Sequence, residues 1–325
     1  WWWFGTALEN EIDRELNGMK KKGLGGVEIQ SIYSALKGVN IPRYKEIKWL
    51  SDEWLNMVAA TVRTCKDFDM QVDLTFGNGW PFGGPFIPDH LASTKLSSFH
   101  TPLAPKEELE IPIDDLFDNK EKMVGICAGK VVEKKNIKEI IDLKPFISND
   151  MLKWEVPEGN WYLFWFFYEN TNQYVKRATP GGAGLVLDHL NRNAFIHYEE
   201  HIGKRLSSKF GSKLGNSFHS LFCDSWEVYG ENWTPNFILS FKEAKGYDLT
   251  PYLPYLNLNG AQEFENDIIA ERIIYDYHHH HSNLILENFF ATFADYCGNK
   301  GVYCRVQPYS APTDLLRAYG LLDIL

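Results

Sequence analysis

The sequence predicts an α/β protein: a (β/α)8 TIM-type barrel, truncated after about six strands, with an antiparallel β insertion after strand 3. Three observations predict this fold. Strand-like and helix-like segments alternate over residues 1–76, the pattern of a parallel sheet with crossover helices. Short alternating apolar runs with turn signals between them fill residues 97–187. Beyond them the strand–helix alternation resumes and continues to residue 325.

This pattern divides the chain into three segments. Residues 1–96 are expected to form the first part of the barrel, with strands 1–3, and residues 97–187 an inserted β subdomain. Residues 188–325 are expected to continue the barrel with strands 4–6. The barrel would be incomplete at its C-terminal end, because this fold has eight strands.

The first segment places a helix between its first two strands. Ile12, Leu16 and Met19 recur at helical spacing, and Gly23 is expected to end the helix. A second helix has acidic residues in its first turn, which the helix dipole favours. The predicted elements are a strand at 1–4, a helix at 8–22, a strand ending near Gln30, a helix from Ser51 and a strand at 72–76.

A loop rich in glycine and proline follows the third strand at residues 77–85. Its four glycines and two prolines predict an ordered loop with unusual backbone angles. The loop matches neither a phosphate-binding P-loop nor a GxGxxG fingerprint. Trp80 at its centre either provides a platform for a sugar ring or packs the loop down, and Asn78 is a candidate sugar contact.

The last segment is predicted to contain three strands and several helices. One helix begins at a Thr-Pro pair and ends at Gly246, both common helix-terminus signals. The predicted elements are a helix at 192–210, a strand at 221–223, a helix at 235–246, a long helix, either continuous or broken, over about 261–298, a strand at 302–307 and the start of a sixth strand at 321–325.

Carboxylates and aromatic residues interleave directly after the strand at 221–223. Acids can move protons, and aromatic faces can cover the apolar C–H faces of a pyranose. The stretch is therefore typical of a sugar-cleaving site. The residues concerned are Asp224, Trp226, Glu227, Tyr229, Glu231 and Trp233.

Glu227 is the candidate general acid of this stretch. Strand alternation would put it on the face of Leu221 and Cys223, at the C-terminal mouth where barrel enzymes carry their chemistry. Trp226 and Tyr229 are expected to raise its pKa by excluding water. The alternative is a glutamate that forms a surface ion pair.

The other polar candidates receive supporting roles. Asp224 is expected to orient a neighbour or cap the loop, and Glu231 to be solvated. Asp314 follows a Pro-Thr pair and is equally expected as an acid at a helix start. The candidate contacts to sugar hydroxyls at or beyond strand ends are Asp188, His189, Gln307, Tyr309 and Asp314.

Neither the histidines nor the cysteines predict a metal site. Four consecutive helical residues, His278 to His281, point about 100° apart and cannot converge on one ion. The spacing of the first and fourth is suitable, but no acidic partner stands out. The five cysteines are odd in number and contain no CxxC pair, and Cys223 and Cys304 are expected in the core.

The charge balance narrows the class of partner. A net charge of −10 without a basic stripe argues against a nucleic-acid groove, and no apolar run is long enough to span a membrane. The aromatic content of 15% fits a large aromatic core, a carbohydrate surface or both. The expected partner is a carbohydrate. A periplasmic or secreted location is expected, although these residues contain no signal peptide.

A succession of motifs covers the chain outside the middle of the β insertion. Together they resemble glycoside hydrolase family 106, the α-L-rhamnosidases, and their order is more specific than any single motif. After the Trp-rich opening strand they are MKKKGLGGVEIQ, GNGWPFGGPFIP, PGGAGLVLDHL, CDSWEVYGENWTP, GYDLTPYLP and RVQPYSAPTDLLRAYGLLDI.

The resemblance implies an inverting hydrolase that removes terminal α-L-rhamnosyl residues from plant-type polysaccharides or glycosides. It implies a calcium ion that helps to bind rhamnose, without identifying its ligands here. It assigns the general acid to Glu227 and the general base to a glutamate just past Leu325, so the 325 residues alone are expected to be inactive. The residues expected to line the sugar site are Asn78, Trp80, Asp188, Trp226 and Gln307.

Three other functions stay open on the sequence alone. A non-catalytic carbohydrate-binding relative would share the aromatic residues but lack a working acid–base pair. A retaining glycosidase of other specificity would hold its carboxyl groups about 5 Å apart, against about 6.5–9.5 Å in an inverting enzyme. A metal-dependent hydrolase would use the histidine run.

Overall fold

A computed structural model describes residues 1–35, 45–119, 122–132, 136–256 and 268–324. The predicted start of the long helix near residue 261 and the last residue of the predicted sixth strand, Leu325, lie outside these ranges.

The strands and helices are numbered in chain order. The strands are β1 (Trp2–Phe4), β2 (Gly26–Ile32), β3 (Gln71–Thr75), β4 (Gly83–Gly84), β5 (Thr94–Leu103), β6 (Glu108–Pro112), β7 (Met123–Val131), β8 (Ile137–Asp142), β9 (Ile147–Ser148), β10 (Met151–Glu155), β11 (Trp161–Asn170), β12 (Leu185–Val186), β13 (Ser220–Cys223) and β14 (Tyr303–Val306). The α-helices are α1 (Glu9–Lys21), α2 (Asp52–Asp67), α3 (Arg192–Phe210), α4 (Phe237–Lys245), α5 (Ile268–Ile285), α6 (Ala291–Lys300) and α7 (Leu315–Gly320).

The chain divides into two compact units. The first comprises Trp1–Ser93, Asn172–Tyr229 and Asn283–Leu325, and the second comprises Thr94–Thr171 and Gly230–Ser282. The predicted boundaries near residues 96 and 187 stay a prediction, since the second unit also takes part of the chain after β13.

A parallel sheet forms the centre of the first unit, in the order β1-β2-β3-β13-β14. All four pairings are parallel, and the strands follow one another in chain order, as the sequence predicts for strands 1–5. After α7, Ile324 forms a parallel bridge with Arg305 of β14. The described strands form an open sheet, so the predicted truncated TIM barrel is not confirmed.

The two faces of the parallel sheet differ in chemistry. One face carries an apolar row in which Ile29, Leu74, Leu221 and Cys304 lie opposite one another and are almost fully buried. Helices α2 and α6 contact β3 and β14, as crossover helices do in a parallel sheet. Alternation turns the intervening residues to the other face, where polar side chains predominate.

The second unit contains two antiparallel sheets, in the orders β5-β11-β7-β8 and β6-β10-β9. This confirms the antiparallel pairing predicted for the insertion. Leu163 and Ile126 from the larger sheet and Leu109 and Leu152 from the smaller sheet belong to one buried core. Burial of these side chains is the main stabilising contribution, since each apolar side chain of this size contributes about 1.5–3 kcal/mol.

The predicted long helix is interrupted by one π-helical turn. Helix α5 leads into the turn Leu286–Phe290, and α6 follows it. Such turns occur frequently near functional sites. Within the described ranges, no helix is both long and apolar enough to cross a bilayer.

All five cysteines are buried and none forms a disulfide. The core positions predicted for Cys223 and Cys304 are confirmed. Burial raises the pKa of the Cys65 thiol to about 11 and raises that of Cys127 further still.

Candidate active site

Three segments of the first unit meet around Glu227. Lys176 N donates to Trp80 O at 2.7 Å and Trp80 N donates to Lys176 O at 3.1 Å, which joins the segment 173–176 to the loop after β3. Gln173 Nε2 donates to Glu227 O at 2.7 Å, and Gln173 Oε1 accepts from Tyr229 N at 2.7 Å. The segment 173–176 therefore fixes both neighbouring loops.

Glycines permit the close approach of these segments. Gly79 has φ +98°, and a Cβ there would lie 2.1 Å from Lys176 O. A Cβ on Gly184 would lie 2.0 Å from the backbone of Gly84, where β4 pairs with β12. The predicted ordered loop with unusual backbone angles is confirmed, and its glycines serve close backbone packing.

The Glu227 carboxylate is held by three side chains. Lys176 Nζ lies 2.5 Å from Oε2, and the Tyr229 hydroxyl donates to the same oxygen at 3.4 Å. Ser225 Oγ donates to Oε1 at a long 3.5 Å. Lys176 Nζ also lies 4.0 Å from the Tyr229 ring centroid, a favourable cation–π distance. The Glu227 side chain keeps 36% of its surface exposed, so a substrate could reach it.

The Lys176 hydrogen bond lowers the pKa of Glu227 below its ordinary value, and partial burial opposes this effect without overcoming it. Burial of Lys176 acts to lower its own pKa, but its bonds to Glu227 and Tyr229 outweigh burial and raise it. The pair is therefore ionised near neutral pH. The prediction that Trp226 and Tyr229 raise the pKa of Glu227 is wrong, because an ammonium group contacts the carboxylate directly.

The two candidate tryptophans lie in different surroundings. Trp226 is 9% exposed and packs against His189 at 4.6 Å and Phe289 at 5.8 Å between ring centroids, so it is largely a core residue. Trp80 is only partly buried. The Trp80 indole N–H contributes a smaller lowering of the Glu227 pKa, although it forms no hydrogen bond of normal geometry. Trp80 is thus near the carboxylate, and Trp226 faces the packed interior.

Asn78 and Asp188 are both enclosed by protein. Asn78 is 1% exposed and donates through Nδ2 to Gly83 O at 3.4 Å. Asp188 is fully buried, and its Oδ1 accepts from Leu190 N at 3.0 Å. Their predicted contacts with a sugar stay predictions, and in this structure both side chains stabilise loops.

Gln307 and Asp224 lie at the same edge of the parallel sheet, since Gln307 N donates to Cys223 O at 3.1 Å. The Gln307 side chain is exposed. Asp224 Oδ1 accepts from Ser225 N at 2.7 Å, which fits its predicted role as a loop cap. Gln307 remains a candidate sugar contact.

Glu231 and Asp314 both take part in the packing or capping of the chain rather than in the proposed sugar site. Glu231 is only 8% exposed, so the prediction that it is solvated is wrong. The next two residues donate backbone hydrogen bonds, from Asn232 N and Trp233 N, to Thr94 O, and these bonds hold this stretch in the second unit. Asp314 caps α7 by accepting from Arg317 N at 3.1 Å, which confirms the helix-start alternative. Of the other two residues of that group, Tyr309 is exposed and His189 is buried.

The polar face of the parallel sheet was not singled out in the sequence. Arg305 forms ion pairs with Glu28 and, at 3.3 Å, with Asp73, whose Oδ1 also lies 3.1 Å from His219 Nδ1. Burial raises the pKa of Glu28 despite Arg305, and burial also raises that of Asp224. In the sequence, this polar face is indicated by charged residues at alternate positions of otherwise apolar strands.

The histidine run lies in the second unit. His280 Nε2 lies 2.9 Å from Ser240 Oγ, and burial lowers its pKa to about 4. His279 Nδ1 lies 3.0 Å from Lys245 Nζ. Over the ranges that the structure describes, no three His, Cys, Asp or Glu side chains converge to hold a metal ion. The calcium ion that the family resemblance implies stays a prediction, because calcium also binds backbone and amide oxygens.

Comparisons with known proteins agree on the class of protein. The family model for α-L-rhamnosidases, glycoside hydrolase family 106, matches residues 116–313. The solved structure of a rhamnosidase from Novosphingobium sp. PP1Y is similar with a TM-score of 0.73 at 15% identity. It covers 99% of this chain and 47% of that protein. At this identity the likeness concerns the fold.

A curated relative carries a different specificity in its name. The chain is 27% identical over 368 residues to a protein of Formosa agariphila named "Putative beta-glucuronidase". The match covers 100% of this chain and 30% of that protein. The chain thus spans less than half the length of either relative.

Proposed function

Because this chain belongs to glycoside hydrolase family 106, the α-L-rhamnosidase family, we propose that the full-length protein is an inverting glycoside hydrolase. Its proposed substrates are polysaccharides or glycosides of plant type that end in α-L-rhamnosyl residues. Its proposed general acid is Glu227.

The observation that carries this proposal is the fixed and accessible carboxylate of Glu227. Gln173 holds the backbone on both sides of it, and Trp80 lies beside it on a loop that bonds to Lys176. A general acid must be held at a defined position next to the glycosidic oxygen. An aromatic residue next to it could cover one face of the sugar.

The reaction would use Glu227 in its protonated form. The carboxyl group gives its proton to the glycosidic oxygen while the bond from that oxygen to the anomeric carbon breaks. A water molecule attacks the anomeric carbon from the opposite face, and a general base takes its proton. Lys176 stabilises the carboxylate that remains, which favours proton release. The next cycle requires Glu227 to regain a proton from solvent.

The general base is proposed to be a second glutamate outside these 325 residues. The family resemblance also implies a calcium ion that helps to bind rhamnose, and no step of the proposed hydrolysis depends on this ion. The residues proposed to line the sugar site are Trp80 and Gln307, together with Asn78, Asp188 and Trp226 if substrate binding opens their surroundings.

The proposal can be tested on the full-length protein with 4-nitrophenyl α-L-rhamnopyranoside. Proton NMR of the first product identifies its anomeric configuration. The expected result is hydrolysis with β-L-rhamnose as the first product. Release of α-L-rhamnose would reject the inverting mechanism, and absence of hydrolysis would reject the substrate class.

A second candidate substrate is a β-glucuronide. The cationic Lys176 beside the candidate acid could bind the carboxylate of a glucuronic acid, and a curated relative carries that activity in its name. Parallel assays with 4-nitrophenyl β-D-glucuronide distinguish the two. A higher kcat/KM on the glucuronide, lost in Lys176→Met, would favour this second candidate.

A further inference from the structure

A cleft of about 430 Å³ opens in the second unit, at one end of its larger antiparallel sheet. Phe99 from β5 and Trp165 and Phe167 from β11 line it, and the segment 115–119 faces them. The volume falls within the range of roughly 300–1,000 Å³ that is usual for small-ligand sites. The residues proposed above to line the rhamnose site all belong to the first unit.

Phe99, Trp165 and Phe167 lie where the smaller sheet no longer covers the apolar face of the larger sheet. Strand alternation puts Phe99 on the face of Leu103, and Trp165 and Phe167 on the face of Leu163. Leu103 and Leu163 are buried in the core shared by the two sheets, whereas Trp165 and Phe167 are only partly buried. Phe99 is 55% exposed. The larger sheet therefore extends its apolar face beyond the smaller one.

Phe99, Trp165 and Phe167 lie close together, with moderate angles between their ring planes. Phe99 lies directly opposite Trp165 in the strand register, with 5.7 Å between ring centroids and 34° between ring planes. Phe99 and Phe167 are 5.9 Å apart at 20°. Three neighbouring aromatic rings give the cleft an apolar wall, against which the C–H face of a pyranose can pack.

The Glu169 carboxylate at the rim of the cleft is a hydrogen-bond acceptor that neighbouring side chains hold in place. Glu169 Oε1 accepts from Ser97 Oγ at 2.7 Å and lies 3.3 Å from Lys95 Nζ. The hydrogen bond from Ser97 is the main cause that lowers the pKa of Glu169, so this carboxylate is ionised and oriented. Carboxylates of this kind accept hydrogen bonds from sugar hydroxyls.

The charge of the lining selects among possible saccharides. Three carboxylates, those of Asp115, Asp118 and Glu169, line the cleft against the ammonium group of Lys122, and a second ammonium group, that of Lys95, pairs with Glu169. The excess of negative charge would repel a uronic acid and would not oppose a neutral sugar.

We propose that this cleft is a second carbohydrate-binding site, which holds a pyranose unit of a neutral polysaccharide against Phe99, Trp165 and Phe167. The choice of carbohydrate over other small ligands rests on the proposed glycoside hydrolase function. The site would keep a polymer attached to the protein between cleavage events.

Isothermal titration calorimetry of the full-length protein tests this with four hexasaccharides. Three are neutral (cellohexaose, xylohexaose and mannohexaose) and one is anionic (hexagalacturonate). None carries a terminal rhamnose or glucuronic acid, the two sugars proposed for the Glu227 site, and variants of the cleft residues assign the binding. At least one neutral hexasaccharide should bind, and hexagalacturonate should bind more weakly. Failure of all three neutral probes, or tighter binding of hexagalacturonate, would overturn the proposal.

Variants locate the binding. Trp165→Ala should weaken binding about tenfold or more, the loss expected for an aromatic anchor. Phe99→Ser should weaken it as well, and this exposed residue decides the question if Trp165→Ala does not fold. The matched control is Phe146→Ser, an exposed aromatic residue of the same unit outside the cleft, which should leave binding unchanged. Unchanged binding in Phe99→Ser and in folded Trp165→Ala would overturn the proposal.

Parallel assays on 4-nitrophenyl glycosides separate the two proposals. Binding at the cleft with no hydrolysis of either glycoside would reject the proposed function alone. Hydrolysis without any cleft binding would reject the second site alone.

Discussion

The ammonium nitrogen of Lys176 lies 2.5 Å from Oε2 of Glu227, although 51 positions separate the two residues in the chain. This contact keeps the proposed acid ionised in the free protein. Proton donation then depends on how often the carboxyl group regains its proton, and Lys176 becomes a positioning residue that sets the pH range of activity.

Replacement of Lys176 by Met should shift the pH dependence of kcat/KM on 4-nitrophenyl α-L-rhamnopyranoside. Loss of the ammonium group raises the pKa of Glu227, so the loss of activity with rising pH should begin at a higher pH than in the wild type. Lys176→Arg keeps the charge and should retain most of the original profile. Lys153→Met, which breaks an exposed ion pair with Glu110, is the control and should change nothing. Identical profiles for Lys176→Met and wild type would contradict the proposed role of the pair.

Glu227→Gln in the full-length protein should lower kcat by about 10²–10⁴ with the fold intact. The loss should be greatest for substrates with poor leaving groups and smallest for a 2,4-dinitrophenyl rhamnoside, which needs little protonation of the departing oxygen. A merely structural role would lower both rates equally. Near-normal turnover on a poor leaving group would reject Glu227 as the acid.

Gly79→Ala should damage both stability and activity. The residue has φ +98°, and the added methyl group would lie 2.1 Å from Lys176 O. We expect a loss of at least about 2 kcal/mol in the free energy of unfolding, since strain and a backbone clash add. Gly230→Ala is the matched control, because its φ is +75° and a Cβ there meets no neighbour within 4 Å. Urea unfolding of both variants should give a clearly larger loss for Gly79→Ala; equal losses would contradict the close approach to Lys176.

Glu199 should make stability fall with rising pH. Partial burial raises its pKa from 4.5 to about 7, so the folded state keeps a proton that the unfolded state has already released. The unfolded state therefore binds fewer protons between about pH 4.5 and 7, and the free energy of unfolding falls across that window. Because the side chain is partly solvated, we expect Glu199→Gln to recover only about 1–2 kcal/mol at pH 8 and almost nothing at pH 4.

Urea denaturation at the two pH values measures this effect. Glu287→Gln, an exposed position in the same unit, is the control and should shift neither value. An equal gain for Glu199→Gln at pH 4 and pH 8 would mean that burial does not raise the pKa of Glu199.

The sequence predicted the elements whose signals are local. Apolar runs located β3, β13 and β14, helical spacing located α1, and the helix predicted at 192–210 coincides with α3. The helix end at Gly246 and the capping role of Asp314 also followed from residues a few positions apart. The order of the parallel strands followed from the strand–helix alternation.

The protonation state of Glu227 could not be predicted in this way. It depends on Lys176, which no periodicity connects to β13, and on Gly79, which admits the Lys176 backbone to the site. The burial of Glu231 likewise follows from backbone bonds to Thr94, more than a hundred positions earlier. The polar sheet face that carries the ion pairs of Arg305 is indicated in the sequence by charges at alternate strand positions, but the partners of each charge are not.

The five buried thiols make the folded chain resistant to alkylating reagents, because burial hides the sulfur atoms, and at Cys65 and Cys127 burial also raises the pKa and suppresses the thiolate. Within these 325 residues, a maleimide dye would therefore react only at a cysteine introduced on the surface. The rate at which the native thiols become modified would in turn report local opening. Cys65 reports on the first unit and Cys127 on the second, so mass spectrometry of a timed labelling reaction could follow the two units separately without any added probe.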